Sequence, residues 1–305
     1  MNRILILKLN ATGDVVRTTP LLRCLEGEIT WITAHNNLPL LQGLAENLRA
    51  VSWKDRETVR GEDYDLVINL EDDAEGAAFL RSVPHKQLFG AFLGENGDLS
   101  YTADAHRWFD MSLISRYGKA QADVLKFSNR KTYQELVFQG LDQRFNGEKY
   151  VLPETEETDL CGDVAIAPVA GAVWPMKSWA YYERLKQQLE AEGLKVNVLP
   201  VRASLLEHLG DIRNHRCLVS GDSLPMHLAL GAEIACVSLF NCTSPWEIHD
   251  YGIQRKIVSR FLPEFFYRRD FDRRATTAIS LSEVYTATLH QLSGVTSVTA
   301  DNARN

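Results

Sequence analysis

The sequence predicts an α/β protein of two units, each a mainly parallel sheet flanked by helices. Three observations carry this. Short apolar runs alternate with helix-length amphipathic segments along most of the 305 residues. The alternation lapses once, between Phe145 and Cys161, where Gly147, Pro153 and the acidic run 154–159 read as a solvated linker. It then restarts in the same order, so βαβ units fall on both sides. The expected units are 1–152 and 160–290, with 291–305 a polar, coil-like tail.

In the first unit, residues 3–8 form an apolar strand pattern that stops at Leu9-Asn10-Ala11-Thr12-Gly13-Asp14. A helix-like stretch, 15–25, follows. Proline fits best in a first turn, so Pro20 places the start of the regular helix near Thr18 and leaves Asp14 outside it. Further strands are expected at 29–33, 66–70 and 87–92. The region 105–141 reads mainly helical, with Trp108, Met111, Leu113 and Ile114 as core candidates.

In the second unit, 164–168 is a strand and 171–177 a loop. Ser178 is a good N-cap for a helix to about 192, with Trp179, Tyr182, Leu185 and Leu189 on one apolar face and Gly193 as its stop. Strands at 195–199, 217–220 and 234–240 alternate with helices at 205–212 and 225–230.

Composition excludes several classes. A net charge of −7 argues against nucleic acid as a partner. No run approaches the roughly 20 apolar residues of a membrane span, and a chain that enters a strand pattern at once predicts no signal peptide. Cys24, Cys161, Cys217, Cys236 and Cys242 are scattered, without CxxC spacing, so reduced thiols in a cytoplasmic protein are expected.

Chemistry belongs at the loops that follow strands, because ligands of open α/β sheets bind beyond the carboxyl ends of the strands. Four such loops are rich in small and polar residues: 10–14, 171–177, 221–227 and 241–246. The last three offer helix N-termini, hydroxyls, Lys177 and His227, a set suited to a diphosphate. No Walker or GxGxxG pattern is present. Each candidate also has a plainer reading. Asp14 and Asp222 could be helix caps. His227 could pack against the sheet, Lys177 could be solvated, and Thr243 and Ser244 could simply form a turn. Glu71-Asp72-Asp73 reads as a solvated loop rather than a metal site, with Glu71 on the acceptor side. The arginine-rich stretch 255–274 is either solvated surface or a face toward an anionic acceptor or membrane.

Four segments in order resemble the heptosyltransferase-type glycosyltransferases of family 9. They are 4–20, with its Gly13-Asp14-Val15-Val16-Arg17-Thr18-Thr19-Pro20 core; 64–70; Trp174-Pro175-Met176-Lys177-Ser178-Trp179; and 220–229, running on to 238–240 and 243–245. The resemblance spans about 4–252. It implies a GT-B fold, two Rossmann-like domains facing across a cleft, and an inverting, metal-independent transfer of a sugar, usually heptose from ADP-heptose onto a lipopolysaccharide core.

Residue by residue, the resemblance implies Asp14 as general base. Lys177 and His227 would lie at the donor phosphates and Asp222 at the donor sugar. Ser223, Thr243, Ser244, Trp174 and Gly171 would complete the donor side, and Asn10, Thr12, Gly13, Arg17 and Glu71 the acceptor side. No metal or cofactor is implied. The expected partners are a nucleotide-sugar and a glycan, lipopolysaccharide-core or small-molecule acceptor. The expected protein is a cytoplasmic monomer, with peripheral contact at the inner membrane face left open as one of the readings of the arginine-rich stretch. Two departures bear on the donor: Leu224 stands where the family has glycine, and Asn241-Cys242-Thr243 where it has Gly-Pro-Thr. They keep open a non-catalytic nucleotide-sugar-binding protein and an epimerase or hydrolase of the same fold.

Overall fold

The computed structural model describes residues 2–112, 117–171 and 173–302, with backbone only for 295–302. Leu113 and Ile114 lie outside the described residues. The chain divides into two compact units, Met1–Pro153 and Glu154–Asn305.

The first unit holds a six-stranded sheet of β1 (Arg3–Leu7), β2 (Glu28–Thr33), β3 (Leu48–Ser52), β4 (Tyr64–Asn69), β5 (His85–Leu93) and β6 (Leu99–Tyr101), in the order β3-β2-β1-β4-β5-β6. All neighbours are parallel except the edge pair β5–β6. β1 is buried on both faces. Ile4 and Ile6 join one core cluster, Leu5 and Leu7 the other, as period-two alternation demands. Each fully buried side chain contributes about 1.5–3 kcal/mol.

Strand order reverses between β1 and β4, so the switch point of this Rossmann-type sheet lies at their carboxyl ends. At the next pair of strands, only glycine fits position 90. Its φ is +112°, and a Cβ there would lie 1.9 Å from the Asn69 carbonyl oxygen.

The second unit carries β7 (Gly162–Ala167), β8 (Val196–Val198), β9 (His215–Gly221), β10 (Ala235–Phe240) and β11 (Gln254–Val258), all parallel, in the order β11-β10-β9-β7-β8. This is the flavodoxin-like order, with its switch point between β7 and β9. Val164 and Ile166 meet Trp179, Tyr182, Leu185 and Leu189 in one cluster, the apolar face expected from the sequence.

Several expectations are corrected. The regular helix of the first unit is Thr12–Thr18, and Pro20 opens the 3-10 turn Thr19–Arg23 instead. Asp14 is therefore inside the first helical turn, not outside it. Ser178 does not cap a helix. The helix is Tyr182–Ala191, because residues 178–180 are tied elsewhere: the Ala180 N–H donates to Thr276 O and Trp179 Nε1 to Ile279 O, both at 3.0 Å. Gly193, at φ +83°, does end that helix. β3, β6 and β11 were not expected; each is only three to five residues long and mixed in polarity. The supposed coil after 291 is helical to Asn302, the continuation of helix Leu281–Asn302. Once a helix is nucleated, each added residue gains a hydrogen bond, and a polar composition does not prevent that.

Candidate functional site

In the first unit the loop after β1 is clamped from two sides. Glu71, just past β4, is 9% exposed. Its Oε1 accepts from Lys8 Nζ at 2.6 Å, the Leu9 N–H at 2.6 Å and the Asn10 N–H at 3.2 Å. Glu71 is itself placed by buried Asn69, whose Oδ1 accepts the Glu71 N–H at 3.0 Å. On the other side Asn37, fully buried, donates from Nδ2 to Leu9 O at 2.6 Å, while its Oδ1 accepts from the Thr12 hydroxyl at 2.8 Å. Glu71 is thus an internal support of the turn, with little surface left for an acceptor. Asn10 points outward and is exposed.

The helix that follows is N-capped by Ala11, without a side-chain bond. Asp14, at the third helical position, is not the cap. Its side chain is 36% exposed, and Arg17 Nε lies 3.0 Å from its Oδ1. Gly13 and Thr12 occupy the same turn. Neighbouring acids diverge. Asp72 accepts from the Tyr101 hydroxyl, and Asp73 Oδ1 caps helix Ala74–Leu80 through the Gly76 N–H at 2.7 Å.

In the second unit the loops after β7 and β9 flank the switch point, and one ion pair bridges them. Lys177 Nζ is 3.1 Å from Asp222 Oδ2 and donates to the Asp222 carbonyl at 2.7 Å. The side chains are 16% and 14% exposed. Burial alone would raise the Asp222 carboxyl. Lys177, the nearby His227 and the Thr243 hydroxyl outweigh it and hold the group at about 2.

The lysine is delivered by the 3-10 turn Pro175–Lys177, which Met176 anchors in a cluster with Cys242, Phe265 and Ala275. Trp174 packs edge-on to Tyr267 at 5.4 Å, with the Arg269 guanidinium 5.3 Å from its ring centroid. Gly171 starts the turn, its carbonyl accepting the Trp174 N–H at 3.2 Å. Ser223 is the N-cap residue of helix Leu224–Gly231 but makes no side-chain cap.

His227 is 5% exposed on that helix. After β10, Asn241, Thr243 and Ser244 are buried, and Asn241 Oδ1, Thr243 Oγ1 and Ser244 Oγ lack a partner of full hydrogen-bond geometry. Thr243 is nonetheless close enough to steady the Asp222 charge.

The two departures noted in the sequence have structural work here. Asn241 Nδ2 donates to Ser178 O at 3.0 Å, joining the loops after β10 and β7. Cys242 fills the apolar cluster under Met176, and burial pushes its thiol up to about 12, so it is no nucleophile at neutral pH. Leu224 simply opens its helix, half-buried. All five cysteines are free thiols. In the arginine-rich stretch, Arg268 pairs with Asp270, and Arg274 pairs with Asp272 and Glu264. Among the described residues no helix is long and apolar enough to cross a membrane.

Two Rossmann-type sheets, each with its polar loops at the switch point, are also the architecture of solved glycosyltransferases. The chain has the GT-B fold. A glycosyltransferase family 9 structure from Veillonella parvula aligns with a TM-score of 0.67 at 17% identity, over 95% of this chain and 97% of that one. The E. coli heptosyltransferase WaaC with ADP aligns at 0.61 and 15% identity, over 95% and 99%. E. coli ADP-heptose lps heptosyltransferase II aligns at 0.58 and 15%, over 96% and 98%. No protein-family model matches the chain, and no curated protein matches it by sequence. The resemblance read from the four segments and the structural likeness therefore point to the same fold.

Sequence reasoning missed Asn37 and Asn69, and also Trp108 and Tyr133, whose rings lie 5.3 and 4.3 Å from the Arg17 guanidinium carbon. The first two are buried asparagines, and buried polar side chains without an evident partner in the sequence are a usable signal of a supported loop.

Proposed function

We propose that the chain is an inverting, metal-independent glycosyltransferase that moves a sugar from a nucleoside-diphosphate donor, most simply heptose from ADP-heptose, onto a hydroxyl of a glycan or small acceptor. The Lys177–Asp222 bridge across the switch point of the second unit carries this reading. It places a cation, a carboxylate held ionised and an uncapped helix start together, the chemistry that binds a diphosphate and reads a sugar hydroxyl. The acceptor oxygen attacks the anomeric carbon as Asp14 takes its proton. The bond from that carbon to the diphosphate breaks, and the leaving oxygen keeps the electron pair, stabilised by Lys177 and the loop N–H groups. Work as a cytoplasmic monomer, peripheral to the membrane, belongs to the same proposal.

The Asp14–Arg17 pair favours one second reading, because Asp14 Oδ1 is already engaged by a cation. On that reading the chain binds a nucleotide-sugar without turning it over. A thermal-shift panel of nucleoside diphosphates and sugar-nucleotides, followed by turnover of Asp14→Asn, separates them. The enzyme reading expects selective stabilisation, about 2.7 kcal/mol at a hundredfold excess over Kd, and a turnover loss of about 10²–10⁴ in the variant. Binding with no turnover on any acceptor would leave the second reading. No response to any nucleotide would overturn both.

A further inference from the structure

Arg17 entered as one acceptor-side residue among several, but its surroundings are unusual for an arginine one turn from an aspartate. Its side chain is only 10% exposed. The guanidinium carbon lies 4.3 Å from the Tyr133 ring centroid and 5.3 Å from that of Trp108, and these rings meet edge to face at 4.8 Å. The backbone is held too. Gln134 Nε2 donates to Arg17 O at 2.8 Å, the Thr18 hydroxyl donates to Asp14 O at 2.6 Å, and the Tyr133 and Thr18 hydroxyls are 2.7 Å apart.

A solvent-exposed pair of this spacing is worth little, because a long side chain must be immobilised to make it. Here packing against two aromatic rings has already immobilised the cation. Asp14, at 36% exposure, reaches solvent above a rigid, buried partner.

We propose that Arg17 is a positioning residue: held by Trp108 and Tyr133, its guanidinium fixes the Asp14 carboxylate in the orientation from which it takes the acceptor proton. This rests on the reading of Asp14 as the base. The ion pair holds that carboxylate beside a cation that is itself packed in place, and misplacement by about 1 Å can cost about 10² in rate.

The test is steady-state kinetics on the full chain, with ADP-heptose consumption as readout. Arg17→Met is expected to lower kcat by about 10–100-fold with KM for the sugar-nucleotide unchanged. Arg17→Lys, which keeps a cation without the planar fork, is expected to recover only part of that loss. Arg17→Met added to Asp14→Asn should cost nothing further, because the two residues act as a unit. Additive losses, a raised KM at constant kcat, or wild-type kcat in Arg17→Lys would each overturn the proposal. Should Arg17→Met not fold, Arg17→Lys alone and with Asp14→Asn decides by the same criteria. Loss of kcat in Asp14→Asn with full kcat in the Arg17 variants removes only the positioning role. Full kcat in Asp14→Asn removes the base reading, and this proposal with it.

Discussion

Lys177 Nζ lies 3.1 Å from Asp222 Oδ2 and joins the loop after β7 to the loop after β9, the two loops that flank the strand-order reversal of the second sheet. Lys8 and Glu71 make the equivalent connection in the first sheet, between the loops after β1 and β4, at 2.6 Å. Each switch point is therefore tied by a lysine–carboxylate pair with little solvent exposure.

The Asp222 pair makes stability pH-dependent. The folded group titrates at about 2, below the ordinary 3.8. Its stabilisation is present above about pH 4 and is lost as pH falls toward 2. The linkage is on the order of 2 kcal/mol, from about 1.4 kcal/mol per unit. Lys177→Met should remove most of this acid dependence in urea titrations at pH 2.5, 4 and 7, and should also weaken ADP binding by calorimetry. An unchanged acid dependence would show that Lys177 does not hold Asp222 ionised.

Glu71→Ala is expected to destabilise the first unit by about 3–5 kcal/mol, because it leaves the buried Lys8 cation with the Asn10 carbonyl but without its carboxylate and frees two loop N–H groups. Glu71→Gln should cost less. Equilibrium urea denaturation measures both. A loss below about 1 kcal/mol for Glu71→Ala would argue against a structural role for the carboxylate.

Gly221→Ala should disturb the donor loops without touching a charged group. A Cβ at 221 would lie 2.8 Å from the Lys177 carbonyl oxygen, a backbone atom that cannot yield by a rotamer change. The expected cost is about 1–3 kcal/mol of stability, with weaker nucleotide binding. Wild-type melting and wild-type ADP affinity in this variant would refute the close approach.

His215 predicts a second pH dependence, near neutrality. Its Nδ1 is 2.6 Å from Asp211 O, and its Nε2 faces Asn197 Nδ2 at 2.9 Å, so the ring fits as the neutral tautomer that donates from Nδ1. Burial, the largest cause, holds its pKa below the usual 6.5. The unfolded chain then binds a proton that the folded one resists. Stability from this site is full above about pH 6.5 and falls as pH drops below it. His215→Gln should flatten the melting-temperature profile between pH 5 and 7. An unaltered slope would place the dependence elsewhere, with half-buried His208, lowered for the same reason, as the next residue to vary.

Much of the fold was legible because strands buried on both faces read as apolar runs: 3–8, 66–70 and 234–240 coincide closely with β1, β4 and β10. β3 and β11 were not, since Leu48–Ser52 and Gln254–Val258 carry arginines and polar residues that signal solvent. Helix starts were misplaced for a different reason. Pro20 lies in a 3-10 turn rather than opening the helix, Ser178 O accepts from Asn241, 63 positions away, and the adjacent Trp179 donates to Ile279, 100 positions away.

The sequence by itself determined the two α/β units, the polar loops at strand ends and the residue types gathered there, because periodicity and turn chemistry are local properties. Only the tertiary structure decided what those residues do to one another. It put Asp14 inside a helical turn against a buried arginine, turned Glu71 inward as a loop support, and set Lys177 against Asp222. Strand order brings Glu71 to Lys8 from 63 positions away and Asp222 to Lys177 from 45, and no local pattern records which of these carboxylates will find which cation.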